Sequence, residues 1–142
     1  MANEFARNIQ DASLNPATWA LPTQVGESNG KLSAAIDLGA DTFKSGMFEV
    51  ELSIPTLNAT IAPAASTAGV YYEIISSTSS TLNTTARKLT VKNIAGSGSG
   101  VAATLVRARV PSDCERYVGA KVWLGTTCTD ASAVAATLTL RF

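Results

Sequence analysis

The chain has 142 residues, a length suited to one domain, with 11 basic and 11 acidic side chains and no histidine. Zero net charge argues against a nucleic-acid surface, which works by neutralising phosphates with Lys and Arg. The missing histidine excludes a Ser-His-Asp triad and any His-ligated zinc site, so no enzyme and no cofactor are expected.

The N-terminal stretch, residues 1–30, is rich in Asn and interrupted by Pro16 and Pro22, with few periodic apolar positions. It reads as an arm preceding a domain over residues 31–142. Phe5 and Trp19 are its adhesive side chains, and Trp19 either packs on its own domain or reaches a partner. The first ten residues, with Glu4, Arg7 and Gln10, do not form the apolar core of a signal peptide, so synthesis in a cytoplasm is expected. No run approaches the roughly 20 apolar residues of a membrane helix, and no membrane partner is expected.

From residue 31 onward the hydrophobic period is two, the signature of half-buried strands. Residues 48–54 alternate apolar and polar side chains, placing Glu49 and Glu51 on a solvent face. Further strands are expected over residues 32–38, 70–75, 86–92, 101–110, 117–124 and 132–142, with the Trp19 segment a possible addition. Turn-forming clusters of Gly, Pro, Asn, Asp and Ser separate them. Residues 56–69, 76–81 and 93–100 read as loops, the last a flexible Gly/Ser hairpin. About seven or eight short strands with no helical period predict an all-β fold, a two-sheet antiparallel sandwich.

Cys114 and Cys128 flank the expected strand 117–124, whose extended length would hold them roughly 25 Å apart. Disulfide geometry needs Cα atoms within about 7 Å, so free thiols are expected.

Three groups carry possible surface chemistry. Glu49 and Glu51 share one strand face at a spacing that overlaps glycosidase carboxylates, but alternation with core residues makes them solvated side chains first. Arg107 and Arg109 can pair with them across the sheet or dock a partner. Trp123 lies opposite the aliphatic face of its strand, where it is buried under the arm, anchors an interface, or forms a carbohydrate platform.

The segment Val110-Pro111-Ser112-Asp113-Cys114-Glu115-Arg116-Tyr117-Val118 resembles one that enters a late strand in tailed-phage capsid cement, or decoration, proteins. Asp37-Leu38-Gly39-Ala40, the strand 48–54 with Pro55, and the small-residue run 135–140 are similar to other strands of that family. The resemblance implies a jelly-roll-like sandwich on the outside of a bacteriophage head. There it would associate with itself, as a homodimer, and brace neighbouring major capsid protein subunits. Arg116 and Tyr117 would then contact a partner, although the same pair can instead hold a corner of its own sandwich. A receptor- or carbohydrate-binding module of a virion is the alternative.

Overall fold

The computed structural model describes residues 17–39, 49–63, 69–82, 87–96 and 99–141. Within them are nine strands: β1 (Ala17–Ala20), β2 (Lys31–Leu32), β3 (Ile36–Asp37), β4 (Glu49–Ile54), β5 (Gly69–Ser77), β6 (Arg87–Ala95), β7 (Thr104–Arg109), β8 (Tyr117–Leu124) and β9 (Ala135–Arg141). A short 3-10 turn spans Glu27–Asn29.

Every paired strand is antiparallel. One sheet, sheet A, has the order β1-β9-β4-β7; the other, sheet B, has β2-β8-β5-β6, with β3 also on β8. Because β2 and β3 line the same edge of β8, they act as one strand. The chain then pairs its first strand with its last, second with seventh, third with sixth and fourth with fifth. A long hairpin wrapped in this way into two sheets is a jelly roll.

The core lies between the sheets and follows directly from the alternation. Val50, Leu52 and Ile54 of β4, Val118, Ala120, Val122 and Leu124 of β8, and Leu138 of β9 are all 0 % exposed. Strand β7 inserts Ala108 into the same cluster, and Val106 packs against it. Gly100 makes a seam possible where Leu57 and Val101 exchange backbone hydrogen bonds of 2.9 and 2.8 Å. Its φ is +97°, and a Cβ there would run into the backbone of Leu57 and Asn58.

Several expectations need correction. Residues 93–95, read as hairpin loop, belong to β6, because Tyr71, Val70 and Gly69 pair with them. Ser76 and Ser77 are buried within β5 rather than forming a polar linker. The strand expected over residues 32–38 is split in two: the Ser33 hydroxyl, not a backbone carbonyl, accepts from the Ala120 N–H at 3.0 Å. Of the arm expected over residues 1–30, residues 1–16, and Phe5 with them, lie outside the described residues. Residues 17–30 are built into the sandwich: β1 pairs with β9, and Leu21 is 1 % exposed. Cys114 and Cys128 are buried thiols outside any disulfide, and burial raises the Cys128 thiol above its ordinary pKa.

Candidate interface

Sheet A presents an ordered outer face. The register stacks its outward side chains in rows: Thr18, Thr137, Ser53 and Leu105; then Thr139, Glu51 and Arg107; then Arg141, Glu49 and Arg109. The first row is small and hydroxylated, with the Thr18 and Thr137 hydroxyls 3.3 Å apart. It ends on β7 with Leu105, which is 56 % exposed.

The middle row is an ion-pair network. Arg107 donates from Nε to Glu51 Oε2 at 2.8 Å, and Arg141 donates from Nη2 to Glu51 Oε1 at 2.6 Å. Both carboxylate oxygens are therefore engaged by guanidinium donors, from the two strands that flank β4. Those hydrogen bonds, Arg141 first and Arg107 second, hold the Glu51 pKa below its ordinary value. Alternation along residues 48–54 puts Glu51 on a solvent face. Glu51 does lie on the outer face, but the two long Arg side chains cover it to 6 % exposure. A carboxylate held ionised by two cations is a poor general acid. Arg109 faces Glu49 in register, as expected, but is exposed and in no ion pair among the described residues. Arg107 is thus committed to the sheet, while Arg109 and Leu105 face outward from an edge strand.

Arg116 and Tyr117 hold a corner. The Arg116 guanidinium grips Asp37 with two donors, Nε to Oδ1 at 2.8 Å and Nη2 to Oδ2 at 2.7 Å. Asp37, on β3, stands opposite Tyr117 in register, and the Arg116 backbone carbonyl accepts from Leu38 N–H at 2.8 Å. The guanidinium carbon also lies 5.1 Å from the Tyr117 ring centroid. These contacts tie β3 to the entry of β8 within one chain.

The outer face of sheet B is partly covered by the chain itself, while Val91 of β6 and Leu32 of β2, 51 % and 40 % exposed, remain open on it. Residues 25–30 form a strap that joins the edge of β8, where Val25 bridges to Leu124 and Gly26 N–H donates to the Leu124 carbonyl at 2.9 Å, and then reaches over Lys121 and Trp123 at Gly30. Glu27 reaches toward Lys88 of β6 at 3.7 Å, and Lys88 also pairs with the buried Glu73 at 2.8 Å. Trp123 is 9 % exposed and stacks on Tyr71 with ring centroids 5.5 Å apart. Of the three roles open to Trp123, the geometry favours burial beneath the N-terminal segment. Trp19 faces inward from β1 and packs against the core.

Sequence reasoning thus left Arg107 either to pair with a carboxylate of β4 or to dock a partner, and the structure shows the pairing with Glu51. That reasoning missed Arg141, whose contact is diagonal rather than directly opposite, and Asp37, whose partner lies 79 positions away. Leu105 could have been singled out as an apolar side chain on the face that carries the arginines. Among the described residues no group of three or more Cys, Asp or Glu side chains is placed to hold a metal ion.

No protein-family model and no curated protein matches the chain. Among solved structures it is similar to a chain of the Cowpea Mosaic Virus empty virus-like particle, with 11 % identity and a TM-score of 0.40 over 90 % of this chain and 79 % of that one. A structure titled for CBM4 structure and function is similar at 10 % identity and TM-score 0.32, covering 94 % of this chain and 95 % of that one. A chain of the infectious bursal disease virus Gx strain is similar at 8 % identity and TM-score 0.30, covering 89 % of this chain and 31 % of that one. These TM-scores are too low to carry an argument about function.

Proposed function

We propose that the chain is a non-enzymatic structural protein of a virus particle, a cement protein that self-associates on the outside of a phage head and braces major capsid subunits. Jelly rolls serve in capsid and lectin domains and in cupins. A chain without histidine cannot build the His-ligated metal centre of a cupin-type enzyme. The lectin role needs an open aromatic platform, and Trp123 is turned under the strap. The resemblance of residues 110–118 to phage cement proteins points the same way. The observation that carries the reading is the outer face of sheet A, whose edge strand presents Leu105, 56 % exposed, two positions from Arg107 and four from the exposed Arg109. Weak contacts of this kind, repeated over a lattice, add to a large total.

Co-sedimentation with empty phage heads, together with solution mass by light scattering, tests the proposal. The expected result is an oligomer that pellets with the shells and raises their heat tolerance, with binding weakened by Leu105→Glu and by Arg109→Glu. A strict monomer that stays in the supernatant overturns it.

Carbohydrate binding is the second reading, carried by the half-buried Tyr71 ring beside Trp123. A glycan-array signal abolished by Tyr71→Ala would favour it over the first.

A further inference from the structure

The sequence contains a single Asn-Gly pair, Asn29-Gly30, and it lies in the strap. Such a pair is intrinsically reactive. Glycine has no Cβ to hinder its backbone nitrogen from reaching the neighbouring carboxamide carbon.

The fold holds both residues in place. A Cβ at Gly30 would lie 2.7 Å from Lys121 Cε, 3.1 Å from the Glu27 carbonyl oxygen and 3.2 Å from Trp123 Cβ, so the strap packs closely on β8 at this residue. Asn29 closes the turn: its Nδ2 donates to the Val25 carbonyl at 2.7 Å, and its backbone N–H donates to Gly26 at 3.1 Å. Asn29 itself is exposed to water. A labile dipeptide thus lies at the surface in direct packing contact with the buried Trp123.

The closed strap also ties up both reacting groups. Gly30 N–H donates to the Glu27 carbonyl at 3.1 Å, and the Asn29 carboxamide is drawn toward Val25. Opening the 3-10 turn releases the nitrogen and the carboxamide together. Short segments held by few hydrogen bonds open far more often than a core strand does.

We propose that Asn29 is a spontaneous deamidation site gated by the strap, and that its reaction prevents the strap from re-closing over Trp123. In the open state the Gly30 nitrogen bonds to Asn29 Cγ. The Cγ–Nδ2 bond breaks, and the Gly30 amide proton leaves with that nitrogen as ammonia, giving a succinimide. Water then opens the ring: its hydroxyl adds to one of the two ring carbonyl carbons and its proton goes to the nitrogen, yielding aspartate or isoaspartate. Nothing is oxidised or reduced. The product carries a carboxylate where a donor had faced the Val25 carbonyl, two positions from Glu27. In the isoaspartate form the extra backbone carbon also displaces Gly30 from its slot against Trp123.

The full-length protein, incubated at mildly alkaline pH, is compared with a synthetic peptide of residues 21–35 in the same buffer, with and without urea. Peptide mass mapping follows conversion at Asn29. Acrylamide quenching in a Trp19→Phe background follows Trp123. The expected result is conversion in the native protein at a rate about tenfold or more below that of the peptide, the signature of a closed majority state, rising to the peptide's rate in urea. Aged protein and the Asn29→Asp variant should both show increased quenching of Trp123. Conversion as fast as the peptide's, or none when the peptide has fully reacted, overturns the gated site. Unchanged quenching in aged protein overturns the link to the strap.

Discussion

Leu82 sits over Gly119, on the outer face of β8, and fills the space that a side chain there would occupy. Leu82 is 2 % exposed and holds a positive φ of 51°, unusual for a residue with a Cβ, so packing over Gly119 sustains a backbone conformation that is otherwise costly. Gly119→Ala should drive a methyl group into Leu82 and cost about 1–3 kcal/mol, the range for overpacking. Leu82→Ala should cost about 2–5 kcal/mol by emptying the site. Because both changes act on one contact, the double variant should lose clearly less than the sum of the two, read from urea unfolding midpoints. Additive losses would mean that the two residues do not share a contact.

The Glu51 network predicts a specific pH response. Its pKa is lowered from the ordinary 4.5 in the folded protein, chiefly by the hydrogen bonds from Arg141 and Arg107. The folded state therefore binds this proton less readily than the unfolded chain does. The stabilisation is complete above the ordinary value and is lost as pH falls through the lower, folded one. Glu51→Gln should lower the melting temperature at neutral pH by leaving Arg107 and Arg141 facing each other without a carboxylate. The gap between variant and wild type should close as both are titrated into acid. A gap that widens in acid would contradict the assignment.

How much of this was legible in the sequence depends on which partner fixes each residue. The alternation of β4, β8 and β9 is a local signal, and it located the core face of each correctly. That Arg107 and Arg109 can meet Glu49 and Glu51 across the sheet followed from placing two alternating strands side by side, but the register that sets Arg107 against Glu51 and Arg109 against Glu49 did not. Position in a strand did not reveal that Glu51 is buried, because its cover comes from the ends of two Arg side chains on other strands. Residues 93–95 look like loop by composition, yet β5 offers them a complete hydrogen-bonding edge, and that tertiary contact overrides local preference. Trp123 was assignable to the second face of its strand. What covers it, the strap of residues 25–30, is a long-range contact that no periodicity encodes.

Arg116 and Asp37 make a sharper test of geometry against charge. Two parallel N–H···O bonds require the planar guanidinium fork, and the pairing raises the Arg116 pKa, so the charge is permanent. Arg116→Lys keeps the charge and loses the fork and the contact with the Tyr117 ring. It should lower the melting temperature nearly as far as Arg116→Ala does. Because the pair is about half exposed, with side chains at 45 % and 46 %, the wild-type advantage should shrink at high salt. A lysine variant as stable as wild type would reduce the corner to simple charge attraction.

Gly100 offers a prediction that rests on backbone geometry alone. Its φ of +97° is outside the range that L side chains ordinarily adopt, and the nearest atoms to an added Cβ are backbone atoms of Leu57, Asn58 and Ala59, which cannot rotate away. Gly100→Ala should therefore cost more than the roughly 0.4–1 kcal/mol that an alanine gains elsewhere by restricting the unfolded chain. The effect should be local at first: hydrogen exchange should accelerate at the Leu57 and Val101 amides, which donate to each other's carbonyls. Gly39 is the control. It too has a positive φ, +87°, but nothing lies within 4 Å of an added Cβ, so Gly39→Ala carries the conformational strain without the collision. The difference between the two variants isolates the cost of forcing apart the seam between Leu57 and Val101, and equal losses would show that strain alone accounts for both.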